Sequence, residues 1–297
     1  QIAAEALGVS LDDVMVHSGD TDFGVDLGAY SSRQTLMSGH AVKMAAEDTK
    51  RQVLEALSEQ LGVTVGDMDI AGGVVIFRKG KPDFSRLRTL YIKEHRGWED
   101  QPSGAELTFR EAARVAFITR GVIIGNGAYK PGELGGKYKG AAVGTSPAYG
   151  CSAQVVEVTV DEQTGKVTID AMTDAHDCGF AINRTNVEGQ MQGSLSMGLG
   201  EALFEEVRFD AKGRVANASL GEYRIPTALD MPNVKTVIIE SDEPNGPFGA
   251  KEVGEGAIMP TIPAILNAIY DAVGVRINEL PVTSERLFAA MKEKQKK

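Results

Sequence analysis

The 297 residues are 42% hydrophobic and 24% charged, with a formal net charge of −10, ordinary values for a globular chain able to build two modest cores or one large one. The acidic balance argues against a nucleic-acid-binding surface, which needs surplus Lys and Arg to neutralise phosphates. Cys151 and Cys178 are the only cysteines and form no CxxC pair, so a reduced, cytoplasmic setting is expected, and no run approaches the roughly 18 to 20 consecutive apolar residues that span a bilayer.

Gln1 to Leu7 reads as the middle of an amphipathic helix with no initiator Met, targeting pattern or preceding cap, and the chain is accordingly read as a fragment or a split subunit. Val14-Met15-Val16-His17 predicts a short strand, followed by an acidic loop, Ser18 to Leu27, with Asp20, Asp22 and Asp26. Met37, Ala41, Met44, Ala45, Leu54, Leu57 and Leu61 recur mostly at three- and four-residue spacing and predict a long helix ending at Gly62. Gly72 to Arg78 predicts a strand, and a charged connection with Trp98 leads to a helix around Thr108 to Phe117. From Val122 the texture changes to short β-like runs: Val122 to Tyr129, Ala153 to Val160 and Val167 to Asp174, the last two joined by a hairpin turn at Asp161 to Gly165. A helix at Arg184 to Leu199, a strand at Val234 to Glu240 and a Pro/Gly-rich loop from Asp242 to Gly256 follow. An apolar helix then carries Ile262, Ile265, Leu266, Ile269 and Val273, and a last helix follows Pro281 and Thr283. The basic end, Lys292 to Lys297, reads as a frayed, solvated terminus. The pattern predicts an α+β fold of two packed α/β subdomains, residues 1–120 and 121–297.

The loop Gly246-Pro247-Phe248-Gly249-Ala250-Lys251-Glu252-Val253-Gly254-Glu255-Gly256 is the most informative segment, because its glycines admit close approach of a ligand to backbone beside two carboxylates. A solvated Gly/Pro turn is the alternative that physics leaves open. Gly28-Ala29-Tyr30-Ser31-Ser32-Arg33-Gln34-Thr35 places small and hydroxylated residues at the entry of the long helix, where backbone amides can receive an anion or the side chains simply cap. Gly189-Gln190-Met191-Gln192-Gly193, with Gly198 and Gly200 beyond, is the glycine pattern of close helix packing. His176 and Cys178, with Asp174 and Asp177, raise a zinc reading, which is rejected because two soft ligands in one short run do not make a closed tetrahedral site. No iron–sulfur CxxC and no dinucleotide-binding fingerprint is present in the sequence.

These segments, in this order, resemble the C-terminal part of the molybdopterin-binding large subunit of the xanthine dehydrogenase/aldehyde oxidase (molybdenum hydroxylase) family. The G-x-x-x-V-G-E run resembles that family's signature, which implies that Glu255 is the catalytic base beside the metal and that Gly254 lies at the cofactor. Such a base needs a pKa raised by burial, and Val253, Ala257 and Ile258 are the neighbours expected to bury it. Glu252 fills a variable position and is read as structural. The small-residue loop is similar to one that lies against the pterin, which implies cofactor contacts for Ser31 and Ser32, although Tyr30 and Arg33 depart from the small residues of xanthine dehydrogenases. The G-Q pair implies a pterin hydrogen bond from Gln190, beside Gly189, and Asp174 to Asn183 also fits the family pattern.

The resemblance further implies a molybdenum-molybdopterin cofactor, in the cytosine dinucleotide form, whose metal is held by the pterin dithiolene and by no side chain. It implies iron–sulfur clusters and FAD on partner subunits, a partner in the upstream half of the large subunit, a hetero-oligomer, and a small aromatic or heterocyclic substrate. Gly135-Gly136-Lys137-Tyr138-Lys139-Gly140, Gly144-Thr145-Ser146-Pro147-Ala148-Tyr149, Tyr223-Arg224-Ile225-Pro226-Thr227 and Pro244-Asn245-Gly246-Pro247-Phe248-Gly249 are similar to the 4-hydroxybenzoyl-CoA reductase branch. That branch implies dehydroxylation of an aromatic CoA thioester; hydroxylation of aldehydes or N-heterocycles on nearly the same scaffold, and an inactive cofactor-binding or assembly module, are the alternatives.

Overall fold

The computed structural model describes residues 1–22, 28–87, 90, 106–131 and 146–296. Asp26, Trp98, the Gly135 to Gly140 run, Gly144 and Thr145 lie outside the described residues. The chain divides into two compact units, residues 1–29 with 33–145, and residues 30–32 with 146–297. Both mix helices with a small sheet, the α+β architecture expected.

In the first unit α1 (Ile2–Leu7) ends at Gly8, and α2 (Gln34–Leu61) ends at Gly62, both left-handed caps. Gly8 is needed a second time, because a Cβ there would sit 1.9 Å from the carbonyl oxygen of Ile70. An antiparallel sheet in the order β1-β2-β3 consists of β1 (Met68–Ala71), β2 (Val74–Phe77) and β3 (Leu107–Thr108). Thr108 then caps α3 (Phe109–Arg120) in a reciprocal capping box with Glu111. Val53, Leu57, Leu61, Ile70, Val75, Leu107 and Val115 form this unit's core.

Two expected strands do not form among the described residues. Val14 to His17 pairs with no described strand, and Met15 and Val16 stay 80% and 78% exposed: a β-like composition forms a strand only where an edge is there to pair with it. Val122 to Tyr129 also forms no strand. It runs against α2, so close that a Cβ on Gly125 or Gly127 would meet the carbonyl oxygens of Ala45 or Ala41 at 2.1 and 1.9 Å. This contact keeps residues beyond Arg120 in the first unit, so the compact units divide after Thr145 and not near residue 120.

In the second unit the hairpin of β4 (Cys151–Asp161) and β5 (Lys166–Asp177) forms as expected, with a bulge between Glu157 and Val158. β5 continues through α4 (Arg184–Leu203) into β6 (Asn233–Ile239), which returns parallel to it, the connection a parallel pair requires. α5 (Gly254–Ile258), α6 (Thr261–Val273) and α7 (Ser284–Lys294) complete the unit. Met172, Leu195, Leu199, Ile265, Ile269, Leu287 and Met291 pack between sheet and helices. The basic end is less frayed than expected: α7 runs to Lys294, whose Nζ donates to the carbonyl of Val273 at 3.0 Å. Gly254 to Val273 is long and apolar enough to cross a membrane by length and composition alone. In the fold it is two helices interrupted at Met259 and Pro260, and the second sends Ile265 and Ile269 into the core.

Candidate active site

Three segments far apart in the chain meet within the second unit. Tyr30–Ser32 form one turn of 3-10 helix in which Ser31 and Ser32 have φ of 57° and 47°. Left-handed backbone costs a residue with a Cβ about 1–2 kcal/mol, so two in succession must be held by their surroundings, as is common at ligand sites. Part of that hold is visible: the Oγ of Ser32 accepts a hydrogen bond from the amide of Glu255 at 2.8 Å.

Gly254 is where all three segments converge. A Cβ there would lie 2.9 Å from Ser32 Oγ and 3.6 Å from Gln190 Oε1, and its carbonyl accepts from Ser194 Oγ at 3.0 Å. Ser32, Gln190, Gly254 and Glu255 therefore share one small region, and Gly189 stands one residue from Gln190 on α4. The glycines of that helix separate into two sets. Gly198 is a packing residue, since a Cβ on it would come 2.4 Å from Cβ of Thr261 on α6. A Cβ on Gly189 or Gly193 would meet nothing within 4 Å, so packing among the described residues does not account for those two.

The expected burial of Glu255 is not found. Ala257 is buried and Val253 packs beside it, but they join a small core with Cys178, Val187 and Met191, and Glu255 itself is exposed. A five-residue helix turns its apolar side inward and leaves the next position facing out. Glu252, by contrast, is tied in: its carboxylate accepts from the amide of Gly256 at 3.2 Å, and a Cβ on Gly150 would lie 1.8 Å from its Oε1.

The loop before Glu255 is anchored by a buried ion pair that sequence reading missed. Lys251 Nζ donates to Asp177 Oδ2 and to the carbonyl of Tyr149, at 2.8 and 2.9 Å. Burial opposes the charge on Asp177, but hydrogen bonds from Lys251, the Gly179 amide and Ser241 outweigh it and lower its pKa to about 2. The zinc grouping is not assembled. His176 points Nε2 at the carbonyl of Glu252 at 3.0 Å, Cys178 Sγ lies against the carbonyls of Gly179 and Ile239, and Asp177 is engaged by Lys251. Burial, and then the charge of Glu240, raise the Cys178 thiol above its ordinary pKa, which disfavours the thiolate a metal needs. Two other contributors were also missed, Gln154 and Ser194, whose side chains hold backbone of the 254–257 turn. The available signal was the polar alternation Ser152, Gln154 on β4 and Asp174, His176 on β5, which becomes informative only with the strand register.

Comparison with known proteins matches the chain to a defined class. The family model described as the molybdopterin cofactor-binding domain covers residues 1–232. The chain is 34% identical over 294 residues to the xanthine dehydrogenase molybdenum-binding subunit of Escherichia coli O157:H7, covering 97% of this chain and 35% of that protein. It is 29% identical over 297 residues to the carbon monoxide dehydrogenase large chain of Hydrogenophaga pseudoflava, covering 99% and 33%. Its fold superposes on quinoline 2-oxidoreductase from Pseudomonas putida 86 with a TM-score of 0.77 at 26% identity, over 98% of this chain and 34% of that one. The chain thus belongs to the molybdopterin cofactor-binding domain family, within the large subunits of the molybdenum hydroxylases. It spans about a third of the length of the curated relatives it matches.

Proposed function

We propose that the chain is the cofactor-facing, base-bearing part of a molybdenum-cofactor-dependent oxidoreductase, with Glu255 as the catalytic base. The observation that carries this reading is the hydrogen bond from the Glu255 amide to Ser32 Oγ, which joins the two segments whose sequences separately pointed to the cofactor. The residues fit such a group. Gly254 leaves the backbone approachable between Ser32 and Gln190, the strained Ser31–Ser32 turn offers hydroxyls, and the exposed Gln190 amide can both donate and accept, as a pterin edge requires. Gly189 and Gly193, four residues apart on one face of α4, leave two bare positions there, which lets a flat ligand approach the helix.

When bound, the molybdenum cofactor supplies two-electron oxidation or reduction at an electron-poor carbon. The chain's own part is to hold Glu255 in register and to let its carboxylate take a proton from the attacking group, within hydrogen-bond reach. The side chains that hold the 252–257 turn do the first. Since Glu255 is exposed in this chain, the desolvation that tunes such a base has to come from the cofactor, the substrate and the upstream half of the large subunit.

The finer reading assigns the cytosine dinucleotide form of the cofactor, iron–sulfur and flavin partner subunits, a hetero-oligomer and a cytoplasmic setting. Two substrate classes follow from different observations. Tyr223 to Thr227 and Pro244 to Gly249 support dehydroxylation of an aromatic CoA thioester, whereas likeness to a xanthine dehydrogenase subunit and to quinoline 2-oxidoreductase supports hydroxylation of an N-heterocycle. Metal and nucleotide analysis of the complete complex, followed by turnover with thioesters plus a low-potential donor and with heterocycles, aldehydes and CO plus an acceptor, separates them. In the same complex Glu255→Gln keeps size but loses the base; turnover is abolished while molybdenum content stays near that of the parent. A near-normal rate would sink the assignment of Glu255, and loss of molybdenum would make it a binding residue.

A further inference from the structure

Beneath the Glu255 turn, the paired strands β4 and β5 bury a set of polar side chains that the proposed chemistry does not use. Gln154 and Asp174 are direct cross-strand partners, as are Ser152 and His176, and Asp174 and His176 are completely buried. Their hydrogen bonds lead to the turn: Gln154 Nε2 donates to the carbonyl of Ala257 at 2.5 Å, and His176 Nε2 to that of Glu252 at 3.0 Å. Ser152 Oγ donates to Asp174 Oδ1 at 2.9 Å. Three buried atoms are then left without a partner among the described residues: Gln154 Oε1, Asp174 Oδ2 and His176 Nδ1. Nε2 of His176 faces a carbonyl and so carries a proton; in the Nε2–H tautomer Nδ1 is an acceptor, as are the other two unpaired atoms. An arrangement of buried acceptors with no donor is unstable, and a proton on one of them supplies a donor to a neighbour.

We propose that Asp174 is a neutral carboxylic acid in the native protein, its Oδ2 supplying the donor that the buried acceptors of this cluster lack, and that this proton-holding cluster positions the turn that carries Glu255. A neutral acid avoids burying a carboxylate whose lone pairs are not all satisfied, a costly desolvation. Among the described residues, no Lys or Arg is paired with Asp174. β4 contributes Ser152 and Gln154, β6 places Thr236 and Ile238 in register with Asp174 and His176, the buried residues of α4 and α6 include no Lys, Arg or His, and the loop adds the carboxylate of Glu252, 3.7 Å from His176 Nε2, while its Lys251 is paired with Asp177. Burial, the largest influence on Asp174, raises its pKa against the opposing effects of Ser152, Gln154 and His176.

The functional consequence rests on the reading of Glu255 as base; the proton does not, and the tests keep the two apart. Infrared spectra of the full chain at neutral pH, wild type against Asp174→Asn, are expected to show a protonated-carboxyl carbonyl band present in the first and missing from the second. No difference in that region overturns the proposal. In the complete enzyme, Asp174→Leu, which offers no donor, is expected to lower kcat roughly 10- to 100-fold with KM little changed, since a small misplacement of a catalytic group costs that much. Asp174→Asn, whose amide donates as the acid does, is expected to restore most of the rate. Equal loss in both variants overturns the positioning role. Should Asp174→Leu prevent folding, the infrared comparison still decides the proton, and retained turnover in Glu255→Gln with the infrared band intact removes the base while leaving the proton in place.

Discussion

Replacing Lys251 by Met tests whether the buried pair with Asp177 anchors the loop that leads to Glu255. Met matches the stem of Lys in length and apolarity, so packing is nearly preserved and the change isolates the charge. Removing one partner of a buried pair costs about 3–5 kcal/mol. Asp177 keeps the Gly179 amide, the Ser241 amide and the Ser241 hydroxyl, which puts the loss at the low end, about 3 kcal/mol, or a fall in Tm of about 6–12 °C for a unit of this size. The pH dependence supplies a second reading. A carboxylate lowered from 3.8 to about 2 contributes about 2.4 kcal/mol of stability that is fully present above pH 4 and disappears as pH falls through the folded value. Part of this belongs to Lys251, so the gap between wild type and Lys251→Met should narrow between pH 5 and pH 2. Urea unfolding across that range, with Asp177→Asn and the double variant completing a cycle, measures both. A gap under about 1 kcal/mol at neutral pH, a gap that does not narrow in acid, or additive single effects would refute the coupling.

The two sets of glycines on α4 should answer oppositely. Gly189→Ala gains up to about 1 kcal/mol of helix stability because the new methyl meets nothing, while lowering cofactor occupancy in the complete enzyme; Gly198→Ala loses about 1–3 kcal/mol by forcing Thr261 aside, both read by thermal unfolding and metal analysis. Ser31→Gly removes the strain of a left-handed serine at φ 57° and is expected to raise stability by about 1 kcal/mol while weakening the cofactor contact; an unchanged or lower Tm contradicts the strain argument. Gln190→Ala should reduce molybdenum and nucleotide occupancy more than turnover per bound molybdenum, and equal occupancy in mutant and parent would remove Gln190 from the site.

The local grammar of this chain was sufficient for most of its helices and for its long hairpin. The apolar spacing of α2 with Gly62 behind it, Thr108 before Glu111, Thr283 before α7, and the turn at Asp161 to Gly165 each encode their structure within a few residues, because caps, turn conformations and helical periodicity are short-range effects. The G-x-x-x-V-G-E loop, the serine pair and the G-Q pair were likewise legible as separate pieces. What the sequence could not supply was partnership. Val14 to His17 and Val122 to Tyr129 have the composition of strands and no described edge to pair with. Glu255 is separated from Ser32 by 223 positions yet touches it. Gln154, Asp174 and His176 become one cluster only through the register of β4 on β5. Lys251 finds Asp177 only after α4 and β6 have folded between them. Short-range preference chooses each element, but the order in which elements pack decides which side chains lose water together, and that loss is what turns ordinary polar residues into a site.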